Sequence, residues 1–274
     1  MKNNNVKPYT TTLDRSNAYW MATLAREVYK KKSSSDFTPD ETSILQTLKN
    51  EDPDFLSVRG VSKNSAQAAL IEHQNYFCIA FRGTDEIVDW LDNINAFRTQ
   101  VLFGEFHRGF WNSLEDVWHD LYERYQTLKK EKHARPLFLT GHSLGGAMAT
   151  MAAAKLVHED LPFTSVYTFG QPRAMNREAS RIFNMECKSR FFRFQHNNDI
   201  VTRIPARVMG YSHVGTYIYI SEEGELHNDP GFWFRFLDYF DGAVNAVTED
   251  GIDVIADHDM TNYVNAIKKW DIKF

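Results

Sequence analysis

Only two cysteines, Cys78 and Cys187, occur in 274 residues, too few for a disulfide framework and without the spacing of a metal site. Both fall in segments that read as a buried strand and a helix end, where a free thiol packs as a small apolar group. No run of about 18 apolar residues is present, so no membrane-spanning helix is expected. The opening segment MKNNNVKPYTTTLDRSNAYW also lacks the apolar stretch of a Sec-type signal. A soluble protein is expected, cytoplasmic or exported by another route. Positive charge is not in excess: 31 Lys and Arg against 36 Asp and Glu give −5. That balance leaves no overall field to hold a nucleic-acid backbone. Internal repeats, linkers and low-complexity tracts are missing too, and a single domain over residues 1–274 is the expectation.

With 43% hydrophobic residues the chain can bury a substantial core, and its apolar spacing says how. Ala18, Met21, Ala22 and Ala25 recur at helical spacing behind an Asp14 cap, predicting a helix to about Lys30. A second helix follows Pro39 to about Leu48, and Val58 to Val61, Ala68 to His73 and Tyr76 to Arg82 read as strands. Helix and strand then alternate. Helices are expected over about 110–130, 144–158, 176–185 and 259–269, and strands over 136–140, 165–169, 190–195 and 214–220. Such alternation implies an α/β protein with a mostly parallel central sheet covered by helices on both faces.

Between the strand ending at Thr140 and the alanine-rich helix lies Gly141-His142-Ser143-Leu144-Gly145-Gly146, a match to G-x-S-x-G. In a strand-turn-helix context this pattern exposes a serine hydroxyl on a strained turn, and the flanking glycines avoid clashes between helix and strand. Bulk at Gly141 or Gly145 would close that turn. The helix start aims its amides at charge developing on a carbonyl under attack, and Leu144 N–H is the first donor expected. Ser143 is the expected nucleophile.

Five further blocks accompany the serine motif: Phe81-Arg82-Gly83-Thr84, His107-Arg108-Gly109-Phe110, Thr168-Phe169-Gly170-Gln171-Pro172-Arg173, Asn198-Asp199 with Pro205 beyond, and Asp257-His258. In this order they resemble the class 3, or fungal-type, triacylglycerol lipases of the α/β-hydrolase fold. The resemblance implies that Asp199 is the triad acid, His258 the general base and Thr84 the second oxyanion residue. It also implies a lid in the short helix after Thr84. The residues themselves point the same way. Asp199 follows a late strand, whereas Asp160 sits at a helix end, and of His213, His227 and His258 only the last precedes the closing helix. His107, His142 and His196 are read as structural.

Ile87, Trp90, Leu91 and Ile94 recur at helical spacing with Asp89, Asp92 and Asn93 between them, an amphipathic stripe that fits the lid or a helix docked on the core. A second apolar concentration, 231–240, could line an acyl groove or pack beneath the histidine loop. Lys129, Lys130, Lys132 and Arg135 read as a solvated helix end. The expected function is carboxylic-ester hydrolysis, with an acylglycerol lipase first and a phospholipase, feruloyl esterase or short-chain esterase as alternatives. A catalytically silent scaffold is the remote alternative. No metal or cofactor is called for. The partners would be a lipid or small ester substrate and, transiently, a lipid–water interface.

Overall fold

The computed structural model describes residues 5–85, 87, 97–131, 135–231 and 256–273. In chain order the elements are α1 (Arg15–Glu27), α2 (Glu41–Glu51), β1 (Phe55–Lys63), β2 (Ala66–His73), β3 (Tyr76–Phe81), β4 (Arg98–Val101), β5 (Gly104–His107) and α3 (Arg108–Glu131). They continue with β6 (Leu137–His142), α4 (Leu144–His158), β7 (Val166–Phe169), β8 (Met175–Asn176), α5 (Arg177–Cys187) and β9 (Phe191–His196). The last are β10 (Tyr211–Ser212), β11 (Thr216–Ile220), β12 (Leu226–Asn228), α6 (Met260–Lys269) and β13 (Ile272–Lys273).

Among the described residues the main sheet runs β1-β2-β3-β6-β7-β9-β11-β12-β13. Its centre, from β3 through β6, β7 and β9 to β11, is parallel, while β1, β2 and β12 join their inner neighbours antiparallel. Side chains alternate across each strand, so β3 sends Phe77, Ile79 and Phe81 into a core with α3, α4 and α5. Tyr76, Cys78 and Ala80 enter the other core, with α1, α2 and α6. Helices cover both faces, as the alternation implied.

The helix ends follow the local chemistry. Asp14 caps α1, accepting from the amides of Ser16 (2.9 Å) and Asn17 (3.1 Å). α4 is apolar on nearly every side and is buried along its length, its alanines letting it lie close to the sheet. Both cysteines are free and buried.

Two features depart from the sequence reading. A second, four-stranded sheet, β10-β8-β5-β4, lies in segments read as loops. Arg135 is not a solvated helix end: its guanidinium pairs with the buried Glu72 carboxylate at 2.7 Å and lies over the Phe77 ring. A buried carboxylate needs such a partner, and Glu72 comes from a strand that is buried along its whole length.

Candidate active site

Ser143 sits between β6 and α4 with φ 58° and ψ −129°, a conformation costly for any residue with a Cβ. The glycines around it explain how the chain tolerates the turn. A Cβ on Gly141 would lie 2.3 Å from the Gly145 backbone, and one on Gly145 would lie 2.1 Å from the Phe81 carbonyl oxygen. The elbow is therefore pressed directly onto the end of β3. Ser143 N–H donates to the Phe169 carbonyl at 2.9 Å, fixing the turn to the end of β7 as well. Helix α4 begins immediately: Gly146 N–H bonds to the Ser143 carbonyl, so the amides of Leu144 and Gly145 precede the first intrahelical bond. Leu144 thus stands where an oxyanion donor is needed.

The residues expected as acid and base come from chain segments far apart in sequence. Asp199, fully buried, follows β9 and accepts from His258 Nδ1 at 2.8 and 3.0 Å. That bond places the proton on Nδ1 and leaves Nε2 as the basic nitrogen. Among the described residues neither Ser143 Oγ nor His258 Nε2 has a hydrogen-bond partner, although both are buried. Gly170, with φ 57°, follows the carbonyl that holds Ser143, and a Cβ there would lie 2.7 Å from both Asp199 Oδ2 and the His258 ring. Serine, acid and base therefore converge where β6, β7 and β9 end.

Several groups that hold this arrangement carry no motif. Tyr263 of α6 donates its hydroxyl to Asp199 Oδ2 at 2.5 Å and accepts from His196 N–H at 3.0 Å. Burial, and then the Asp199 charge, raise its pKa well above the ordinary tyrosine value, so it remains a donor. Asp257 accepts from Asn197 Nδ2 (3.0 Å) and Asn198 N–H (3.1 Å), binding the histidine loop to the acid loop. His142, next to the serine, bonds through Nε2 to the His258 carbonyl (2.8 Å) and through Nδ1 to the Tyr29 hydroxyl (2.8 Å). Burial, reinforced by His258, pushes its pKa well below the ordinary histidine value. A neutral ring can donate on one side and accept on the other, as this bridge requires.

Tyr29 also receives a hydrogen bond from the Gly83 backbone. A Cβ on Gly83 would meet Tyr29 Oη at 2.3 Å and Ser143 Cβ at 2.9 Å. Gly83 and the half-buried Thr84 consequently lie beside the elbow, in the region from which a second oxyanion donor would act. Of the expected lid residues, Ile87 is half-buried. Trp90, Leu91 and Ile94 lie outside the described residues, as does the apolar concentration from 232 onward. His107 accepts from Phe110 N–H and His196 packs against Tyr263, structural positions for both.

The family model described as Lipase (class 3) matches residues 78–209, the stretch that carries the elbow, the Gly83–Thr84 turn and Asp199. Over these residues the chain is similar to the class 3 lipases. Among similar proteins is the secreted mono- and diacylglycerol lipase A of Penicillium cyclopium, 25% identical over 225 residues, 77% of this chain and 72% of that protein. Phospholipase A1-II 1 of Oryza sativa subsp. indica is 29% identical over 205 residues, 63% of this chain and 51% of that protein. The fold matches that of the Rhizomucor miehei lipase in its propeptide complex, with TM-score 0.66 and 23% identity over 76% of this chain and 67% of that one. Lipase from Rhizopus microsporus var. chinensis gives 0.61 and 22% over 80% and 81%. This similarity and the α/β-hydrolase fold agree with what the six sequence blocks imply.

Proposed function

We propose that this chain is a class 3 lipase that hydrolyses acylglycerol esters through an acyl-enzyme on Ser143, with Asp199 and His258 completing the triad. The observation that carries this reading is the Asp199–His258 pair beside the strained Ser143 turn, with His258 Nε2 left as the basic nitrogen. Ser143 Oγ attacks the ester carbonyl as His258 Nε2 takes its proton. The tetrahedral oxyanion is stabilised by the amides of Leu144 and Thr84, and preorganised donors of this kind are worth about 3–4 kcal/mol each. His258 then protonates the leaving alcohol, and the same cycle with water releases the fatty acid. Asp199 keeps the imidazole in the Nδ1–H tautomer throughout.

Ile87, Trp90, Leu91 and Ile94 are assigned to a lid that opens at a lipid–water interface. A glycerol ester is favoured because a relative of comparable length is a mono- and diacylglycerol lipase. Among the described residues no helix is long and apolar enough to cross a membrane.

The test is initial rate on p-nitrophenyl esters of increasing chain length and on emulsified diacylglycerol, for the wild type and Ser143→Ala. Turnover of both substrate types, with the variant at least about 1,000-fold slower, is expected. Turnover confined to short soluble esters would replace the lipase by an esterase, and activity retained in Ser143→Ala would remove the serine mechanism.

A further inference from the structure

Three of the exposed large apolar side chains among the described residues gather at one place. Val208 is 93% exposed and Met209 46%, both in the short turn Arg207–Met209 that continues the Asp199 loop. Phe97, 57% exposed, lies beside them, because the Arg98 guanidinium bonds to the Met209 carbonyl and the Tyr211 hydroxyl reaches the Phe97 carbonyl. A valine almost wholly in water at the tip of a turn contributes nothing to the core, and it is the clustering with Phe97 and Met209 that makes an apolar patch.

Arginines gather around this ridge. The Arg108 guanidinium stands over the Phe97 ring at 4.8 Å, and Arg177 reaches the Arg207 carbonyl. Arg98 alone has a carboxylate in its hydrogen-bonded surroundings, Glu105 at 2.8 Å. Arg108, Arg177 and Arg207 make no ion pair among the described residues, in a chain whose net charge is −5. Immediately behind them Arg173 has its pKa lowered to about 9 by burial and by Arg193, Arg207 and Arg203, which reports a locally positive potential. Arg173 also holds the carbonyls of Arg203 and Pro205, tying the ridge to the strand end beneath Asp199.

We propose that Phe97, Val208 and Met209, ringed by Arg108, Arg177 and Arg207, form a docking face for an anionic lipid surface. The apolar tips enter the headgroup boundary while the guanidiniums meet lipid phosphates, which are bidentate partners for arginine. This rests on the reading of the chain as a lipid hydrolase.

The test uses the full chain carrying Ser143→Ala, so that vesicles are not consumed, and co-sedimentation with phosphatidylcholine vesicles with and without phosphatidylglycerol. Binding should need the anionic lipid and fade at high salt. Adding Arg207→Gln should weaken it about 5-fold, the worth of one charge at such a surface, and Val208→Asp should weaken it further. In the active background both substitutions should leave turnover of a soluble short-chain ester unchanged. Equal binding by the variants, or binding indifferent to phosphatidylglycerol, overturns the proposal. So does self-association in analytical ultracentrifugation that Val208→Asp abolishes, since the ridge would then belong to a second copy of the chain. Ester hydrolysis without vesicle binding would overturn the docking face alone. Vesicle binding by a chain that cleaves no ester would leave the face standing and remove the hydrolase reading.

Discussion

Asp199 accepts from three donors: the Val201 amide, His258 Nδ1 and the Tyr263 hydroxyl. Tyr263 touches no substrate in the proposed reaction, yet it holds the carboxylate that holds the base. Tyr263→Phe keeps the ring and removes the hydrogen bond to the Asp199 carboxylate, worth about 1.5–3 kcal/mol, together with the acceptor of the His196 N–H. The expected result is a kcat about 10-fold lower with KM unchanged, and an altered pH profile because the acid is less well oriented. A KM change with kcat intact would assign Tyr263 to substrate binding instead. Tyr29→Phe should act on the other side, leaving His142 Nδ1 buried without its donor. That loss is expected to lower stability by about 1–3 kcal/mol, read as an earlier urea midpoint. The proposed triad was legible in the sequence because a motif and the order Ser, Asp, His are local or ordinal signals. Tyr263 and Tyr29 were not, since their partners lie 64 and 113 residues away and a lone tyrosine in a helix advertises nothing beyond an apolar face.

At the scale of elements, the turn between β6 and α4 makes different demands on its three glycines. A methyl at Gly141 or Gly145 meets fixed backbone at 2.3 and 2.1 Å, whereas at Gly146 it meets the Gln171 side chain at 3.1 Å. Gly141→Ala and Gly145→Ala should therefore each destabilise the protein by about 1–3 kcal/mol or more, the usual cost of overpacking. Gly146→Ala should cost less, because a side chain can shift and alanine favours the helix. Thermal midpoints of the three variants check this order, and equal losses would mean that the elbow is not clamped by backbone. The long helices and the central strands were legible from periodicity, and α4 runs over the range expected from its alanine-rich pattern. The second sheet was not, for its strands have two to four residues, too few for a period of two to be seen. Arg135 was misread for a related reason: burial of its partner Glu72 is decided by the packing of β2, not by any neighbour in sequence.

For the molecule as a whole, three buried histidines set how stability responds to acid. His142 and His213 have pKa values well below the ordinary range, each chiefly through burial; His258 adds to the effect on His142, and Arg193 and Arg173 add to it on His213. His73 is lowered too, again by burial, with Asp52 opposing. In the unfolded chain each would take up a proton near pH 6.5. Below that pH the unfolded state binds more protons than the native one, so the stability these groups contribute is complete above about pH 6.5 and is lost as pH falls below it. The slope is up to about 1.4 kcal/mol per pH unit for each group, large against a total of about 5–15 kcal/mol. Asp85 and Glu105, whose pKa values are lowered, add their own loss only further down, near and below the ordinary carboxylate range. Urea midpoints measured from about pH 8 to about pH 5 should therefore be level at first and then fall, before any carboxylate titrates. His213→Gln retains a donor for the Thr202 carbonyl, which His213 Nε2 contacts at 2.7 Å, and has no proton to gain. It should remove one group's share of the slope between about pH 6.5 and about pH 5. An unchanged slope would mean that His213 is protonated in the native protein, with its charge accommodated among the neighbouring arginines.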